Sequence, residues 1–277
     1  MVILNQSTLN ATHLGVFRLE LNSILNFFEP VVLSVSALKK VQPLIQRRPA
    51  MNNARLERML RDWAINGRSS ILLLQAGTRA QQQATELAAD VVNHLRRNGQ
   101  YVFWNISSGR SARKMTTKDV FKAVIFQALQ QADATFENMG EQLHLQKIHG
   151  THTDREWVDL ICLLFARLSK AFLIIETENM RNMYRQDQLW ADQFFEFVKV
   201  IVDRTAAKGC QLKVLLILYD NQSSAASSAP PSPSLRVITI QPQSLIPSRL
   251  KHVACQPSFN TKGWKLGGRK PQNRRIL

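Results

Sequence analysis

The sequence predicts an α/β fold: a doubly wound, mainly parallel sheet, preceded by a helical lead-in and followed by a basic C-terminal tail. Three observations carry that prediction. Four short runs are apolar throughout rather than alternating, as strands covered on both faces are. Segments with apolar residues at helical spacing separate those runs, so strand and helix alternate along the chain. The 277 residues are 45% hydrophobic and 20% charged, which suffices for one large core with appendages.

The elements follow in order. Residues 1–52 read as a helical N-terminal segment, in which Leu19, Leu21, Ile24, Leu25, Phe27 and Phe28 lead to a break at Pro30. A second helix passes through Leu38 to Ile45, its end weakened by Pro43. The core spans 53–220 and opens with a helix, Asn53 to Asn66, whose apolar stripe is Leu56, Met59, Leu60 and Trp63. Glu57/Arg61 and Arg58/Asp62 support it at i,i+4, and Gly67 reads as its C-terminal glycine.

Ser70 to Gln75 is the first strand, and a helix over 80–97 turns Ala84, Leu87, Ala88, Val91 and Leu95 inward. Tyr101 to Ile106 is the second strand. Thr116 and Asp119 form a capping box for a helix carrying Val120, Phe121, Val124, Ala128 and Leu129. Thr153 and Glu156 form another, ahead of Val158, Ile161, Phe165 and Leu168. Ala171 to Ile175 is the third strand. Trp190, Phe194, Phe197, Val198 and Ile201 line the next helix, and Lys213 to Tyr219 is the fourth strand. Residues 221–235 are a low-complexity Ser/Ala/Pro linker, 236–242 a candidate closing strand, and 243–277 a basic tail expected to hold little order.

Charge sets the candidate partners. The chain has 36 Lys and Arg against 20 Asp and Glu, a net +16, and after Asp220 basic residues occur with no acid at all. In the tail, Lys262, Lys265, Arg269, Lys270, Arg274 and Arg275 lie beside Phe259 and Trp264. Interleaved cations and aromatics suit nucleic acid or another polyanion, and a solvated, solubilising tail fits the same composition. The three cysteines, Cys162, Cys210 and Cys255, are far apart and suggest no disulfide framework or CxxC site. The expected compartment is intracellular, cytoplasmic or nuclear: the N-terminus lacks a secretory pattern, and no apolar run reaches the roughly 20 residues of a membrane span.

In a doubly wound sheet, ligands bind beyond the carboxyl ends of the strands. The first loop there is Gln75-Ala76-Gly77-Thr78-Arg79-Ala80-Gln81-Gln82-Gln83-Ala84-Thr85. A phosphate-binding GxxxxGK[ST] loop belongs at this place, with glycines for the anion nest, a lysine for the phosphates and a hydroxyl for magnesium. Aligned from Gly77, those positions hold Gln82, Gln83 and Ala84, with Thr85 one position late. Glu176 ends the third apolar strand, where a magnesium-positioning acid belongs, and Glu178 follows two residues on.

Other constellations carry less. His144, His149, His152 and Asp154 match no standard metal spacing and read as a loop. No GxSxG occurs. Phe103, Trp104, Trp190, Phe194 and Phe195 sit on strand and helix positions that suit core packing.

Between about residues 37 and 220 the chain resembles the STAND class of P-loop ATPases, in particular fungal proteins with a degenerate NACHT-like domain. Arg55 to Trp63, Ser70 to Gln82, Val102 to Asn105 and Phe172 to Glu178 carry the resemblance. It implies a P-loop NTPase-like three-layer core that would take ATP or ADP and switch between closed and assembled states. The missing lysine and hydroxyl weigh against that chemistry. The reading therefore expects no catalytic residue, no metal and no obligatory cofactor, and a non-catalytic interaction or regulatory module with a protein partner. A residual nucleotide site would use Gly77, Thr78, Arg79, Gln83 and Glu176; the alternative polyanion contact would use the six tail cations.

Overall fold

A computed structural model describes residues 54–77, 80–106, 114–131, 153–187, 189–219 and 235–240. The expectations for 1–52, for 221–234 of the linker and for 243–277 lie outside these residues, as do His144, His149, His152, Thr78 and Arg79.

The alternation expected from the sequence is present. Helix α1 (Ala54–Ile65) leads into β1 (Ser70–Ala76), followed by α2 (Gln81–Arg97), β2 (Val102–Asn105) and α3 (Thr117–Gln131). Then come α4 (Asp154–Phe165), β3 (Lys170–Glu176), the short α5 (Glu178–Met183), α6 (Trp190–Ala207), β4 (Gln211–Tyr219) and β5 (Leu235–Ile240). All pairings are parallel, and the order is β2-β3-β4-β1-β5. The candidate closing strand is thus real as β5, and it pairs with β1 rather than with its predecessor β4.

Alternation along each strand sorts the side chains to two faces. Leu72, Leu74, Trp104, Phe172, Ile174, Leu215, Ile217 and Tyr219 face one layer, with Leu56 and Trp63 of α1 and Ala84, Ala88 and Val92 of α2. Leu73, Phe103, Leu173, Ile175, Val214, Leu216 and Leu218 face the other, against α3, α4 and α6. Parallel crossovers are right-handed, so a connection running leftward and one running rightward must lie on opposite faces. The link from β1 to β2 runs one way and carries α2; those from β2 to β3 and β3 to β4 run back and carry α3 to α6.

Aromatic contacts fill both layers. Trp63 meets Phe172 edge-on at 5.7 Å, and Phe103 stacks on Phe165 at 4.8 Å. Phe103, Trp104, Trp190, Phe194 and Phe195 are all buried, as the core assignment requires. Each contributes about 1.5–3 kcal/mol by leaving water.

Two polar devices complete the fold. Beneath the sheet, Lys170 Nζ donates to Ala64 O at 3.1 Å, Gln211 Nε2 to Asn66 O at 2.5 Å, and Lys213 Nζ to Arg68 O and to Ser70 Oγ at 3.1 Å. Two lysines and one amide thereby satisfy carbonyls of the C-terminal turn of α1 and its following loop, where the helix dipole favours the positive charge of the lysines. At the β2 edge, Gln127 of α3 acts as one unit of a missing strand. Trp104 N donates to Gln127 Oε1 at 2.9 Å, and Gln127 Nε2 donates to Trp104 O at 2.7 Å. Gln131 Nε2 adds a bond to Val102 O at 2.9 Å.

Both capping boxes form. Thr116 and Asp119 exchange bonds of 2.9 and 3.2 Å, and Thr153 and Glu156 do likewise ahead of α4. Gly67 follows the end of α1 as expected, but without the left-handed backbone of a helix-ending glycine. The left-handed helix-ending glycines are Gly99 after α2, φ 67°, and Gly209 after α6, φ 89°. Glu178, two residues past Glu176, opens α5 and there meets Arg181 at 3.5 Å. Leu87, Val91 and Phe197, expected inward, are half-buried, while Ala89 and Val92 are fully covered.

Candidate crevice at the carboxyl ends of the strands

β1 lies between β4 and β5, and the connections leaving β1 and β4 run in opposite directions. That divergence is the switch point at which open parallel sheets bind ligands. The residues gathered there come from three elements: Gly77 and α2 after β1, Glu176 at the end of β3 and Tyr219 at the end of β4.

Gly77 follows β1 directly, and Ala80 N donates to its carbonyl at 2.8 Å, closing a tight turn. No side chain caps the N-terminus of α2, and its first turn holds no acid. Gln83 is half-buried in that turn. An amide there offers hydrogen bonds without the charge a phosphate-binding lysine supplies.

Glu176 is 0% exposed. An isolated buried carboxylate is costly, so its partners decide its state. Thr85 Oγ1 donates to Glu176 Oε1 at 2.7 Å, and Tyr219 OH donates to the same oxygen at 2.5 Å. Both lengths fall in the range of hydroxyl-to-carboxylate bonds, about 2.5–2.7 Å. Thr85 Oγ1 is also 3.1 Å from Gln81 O, and its single proton belongs to the shorter, charge-assisted contact.

Thr85 is one residue late on the helix, and Glu176 is one methylene longer than an aspartate. A hydroxyl–carboxylate contact is nevertheless formed between them. Burial and the neighbouring Glu176 push the Tyr219 phenol far above its ordinary range, so it remains a donor.

The polar backbone around Glu176 is also tied. Asn105 Nδ2 donates to Glu176 O at 3.3 Å, and Thr177 donates to Ile217 O through both N and Oγ1, at 3.1 and 2.8 Å. Asn105 Oδ1 is buried with no hydrogen-bond partner. Asn105 faces the α3 side of the sheet, opposite Glu176, so the two do not share a pocket.

A magnesium-bound nucleotide, the group the resemblance implies, does not fit these residues. The lysine position holds Gln83, and Oε1 of the Glu176 carboxylate already accepts from two hydroxyls. Of the residues expected at a nucleotide site, the structure places Gly77, Gln83 and Glu176 at one end of the sheet; Thr78 and Arg79 lie outside the described residues. Tyr219 was not singled out from the sequence. Its signal is a phenol closing the aliphatic run Val214 to Leu218.

The six tail cations, Lys262 to Arg275, lie outside the described residues, which are themselves only mildly basic. Among the described residues no group of three or more His, Cys, Asp and Glu is placed to hold a metal, and no helix is long and apolar enough to cross a membrane. No family model matches the chain, and neither a curated protein nor a solved structure matches it.

Proposed function

We propose that this chain is a non-catalytic, STAND-like NTPase-fold domain that serves as a protein interaction or regulatory module. The observation that carries the reading is the fully buried Glu176 carboxylate, bonded to Thr85 and Tyr219 in the crevice where a P-loop enzyme would hold its metal. The placement of the Gly77 turn at the switch point of a parallel sheet supports the NTPase-like part of the reading. Gln83 in the lysine position supports the non-catalytic part.

Thermal-shift titration with ATP and ADP, with and without Mg²⁺, tests it. A ligand that binds only the folded state stabilises it by about 2.7 kcal/mol at a hundred times its Kd. The expected outcome is no shift at millimolar nucleotide. A concentration-dependent rise that disappears in Gly77→Trp or Arg79→Ala would establish a nucleotide switch instead, using the uncapped start of α2 as its anion site.

Polyanion binding through the tail is a second reading, favoured by the concentration of positive charge after Asp220. It expects binding to single-stranded nucleic acid that weakens steeply with salt and vanishes on deletion of residues 241–277.

A further inference from the structure

The Glu176 crevice differs from a site that has merely lost residues, because a phenol bonds its carboxylate. We propose that Tyr219 is an internal plug: its hydroxyl holds the carboxylate oxygen that a divalent cation would need, and its ring, packed in the core layer of Ala76 and Ala80, anchors that hydroxyl in place. The inference rests on the functional reading above and assigns the exclusion of metal–nucleotide to one residue.

Position argues for this first. Tyr219 is the last residue of β4 and is paired with Ala76, the last residue of β1, so it lies at the end of the sheet where Gly77 begins the connection to α2. Packing argues next. Tyr219 is 0% exposed and shares its core layer with Ala76, Ala80, Ala84 and Ala88. Small side chains at the start of α2 leave room that one large ring takes up.

Chemistry completes the argument. Magnesium binds carboxylate oxygens at about 2.0–2.1 Å and keeps several waters around it. A phenol oxygen 2.5 Å from Glu176 Oε1 stands where that cation or its water would stand. Thr85 approaches the same oxygen from α2, so a cation that takes the place of the phenol would have the threonine hydroxyl as a second ligand.

The test compares the full-length chain with Tyr219→Ala, Tyr219→Phe and the double variant Tyr219→Ala/Glu176→Gln. Free Mn²⁺ is followed by its electron paramagnetic resonance signal, and folding by far-ultraviolet circular dichroism. The wild type should leave millimolar Mn²⁺ free. Tyr219→Ala should take up one Mn²⁺ per chain, at least about tenfold tighter than the wild type, and the double variant should lose that uptake. Folded Tyr219→Ala that binds no Mn²⁺, or binds it equally without the Glu176 carboxylate, overturns the proposal.

If Tyr219→Ala does not fold, Tyr219→Phe decides. It keeps the ring and removes only the hydroxyl, and a Mn²⁺ affinity unchanged from wild type overturns the assignment. Nucleotide stabilisation of the wild type would instead refute the functional reading. A wild type and a Tyr219→Ala variant that both ignore Mn²⁺ refute only the plug.

Discussion

Leucine in place of Gln127 is the substitution that most directly tests how the sheet is finished. Gln127 is 2% exposed and gives Trp104 both an acceptor and a donor, at 2.9 and 2.7 Å. Trp104 is itself 2% exposed, so water does not replace those bonds when the amide is removed. Each backbone group left unsatisfied costs about 1–3 kcal/mol, and the apolar surface of leucine returns about 1–2 kcal/mol. The net expected loss is about 3 kcal/mol.

Gln131→Ala is the internal comparison. It removes one bond, to Val102 O at 2.9 Å, from a side chain at the exposed end of α3, where water substitutes, and its cost stays below about 1 kcal/mol. Urea unfolding distinguishes the two. With a slope near 2 kcal/mol/M, Gln127→Leu lowers the midpoint by about 1.5 M and leaves the slope unchanged. A midpoint no lower than that of Gln131→Ala would refute the claim that a side-chain amide completes the β2 edge.

Two further outcomes are expected. Gly209 has φ 89° with nothing within 4 Å of an added Cβ, so Gly209→Ala measures backbone strain alone, about 1–2 kcal/mol. Gly67→Ala meets equally open space without a left-handed backbone, so chemical denaturation should show no loss there, and equal losses at both sites would contradict the assigned conformations. Burial pushes the Cys162 and Cys210 thiols up to about 11. Between about pH 8.5 and 11 the unfolded chain releases these protons while the fold retains them, so stability is complete below that window and falls as pH rises through it. Each thiol contributes about 1.4 kcal/mol per pH unit to the fall. Urea midpoints from pH 8 to 10 should flatten in Cys162→Ala/Cys210→Ala, and an unchanged slope would assign the loss elsewhere.

The elements were legible because each rests on local chemistry. An unbroken apolar run such as Leu72 to Leu74 is covered on both faces, and Thr153 with Glu156 can satisfy each other within one turn. Strand order was not legible, since β1 joins β4 and β5 across more than a hundred residues and the apolar pattern of a buried strand names no neighbour. The crevice was half legible. Glu176 announced itself by ending an apolar strand, but the contacts that fix its role come from 91 residues upstream in Thr85 and 43 downstream in Tyr219. Gln127 left a faint signal, a polar residue inside the buried run Val124 to Leu129, which helical spacing alone does not interpret.

The place of β1 has a consequence for synthesis. This strand, uncharged and apolar, is complete at residue 76, yet its partners β4 and β5 begin at Gln211 and Leu235. At about 5–20 residues per second, the ribosome takes roughly 7–27 s to deliver the first of them. Through that interval the nascent chain carries a β-prone segment with both edges open, the kind that pairs with other chains when nothing shields it. A message truncated before β4 would release that segment permanently, so holdase chaperones should engage such fragments far more avidly than the finished protein.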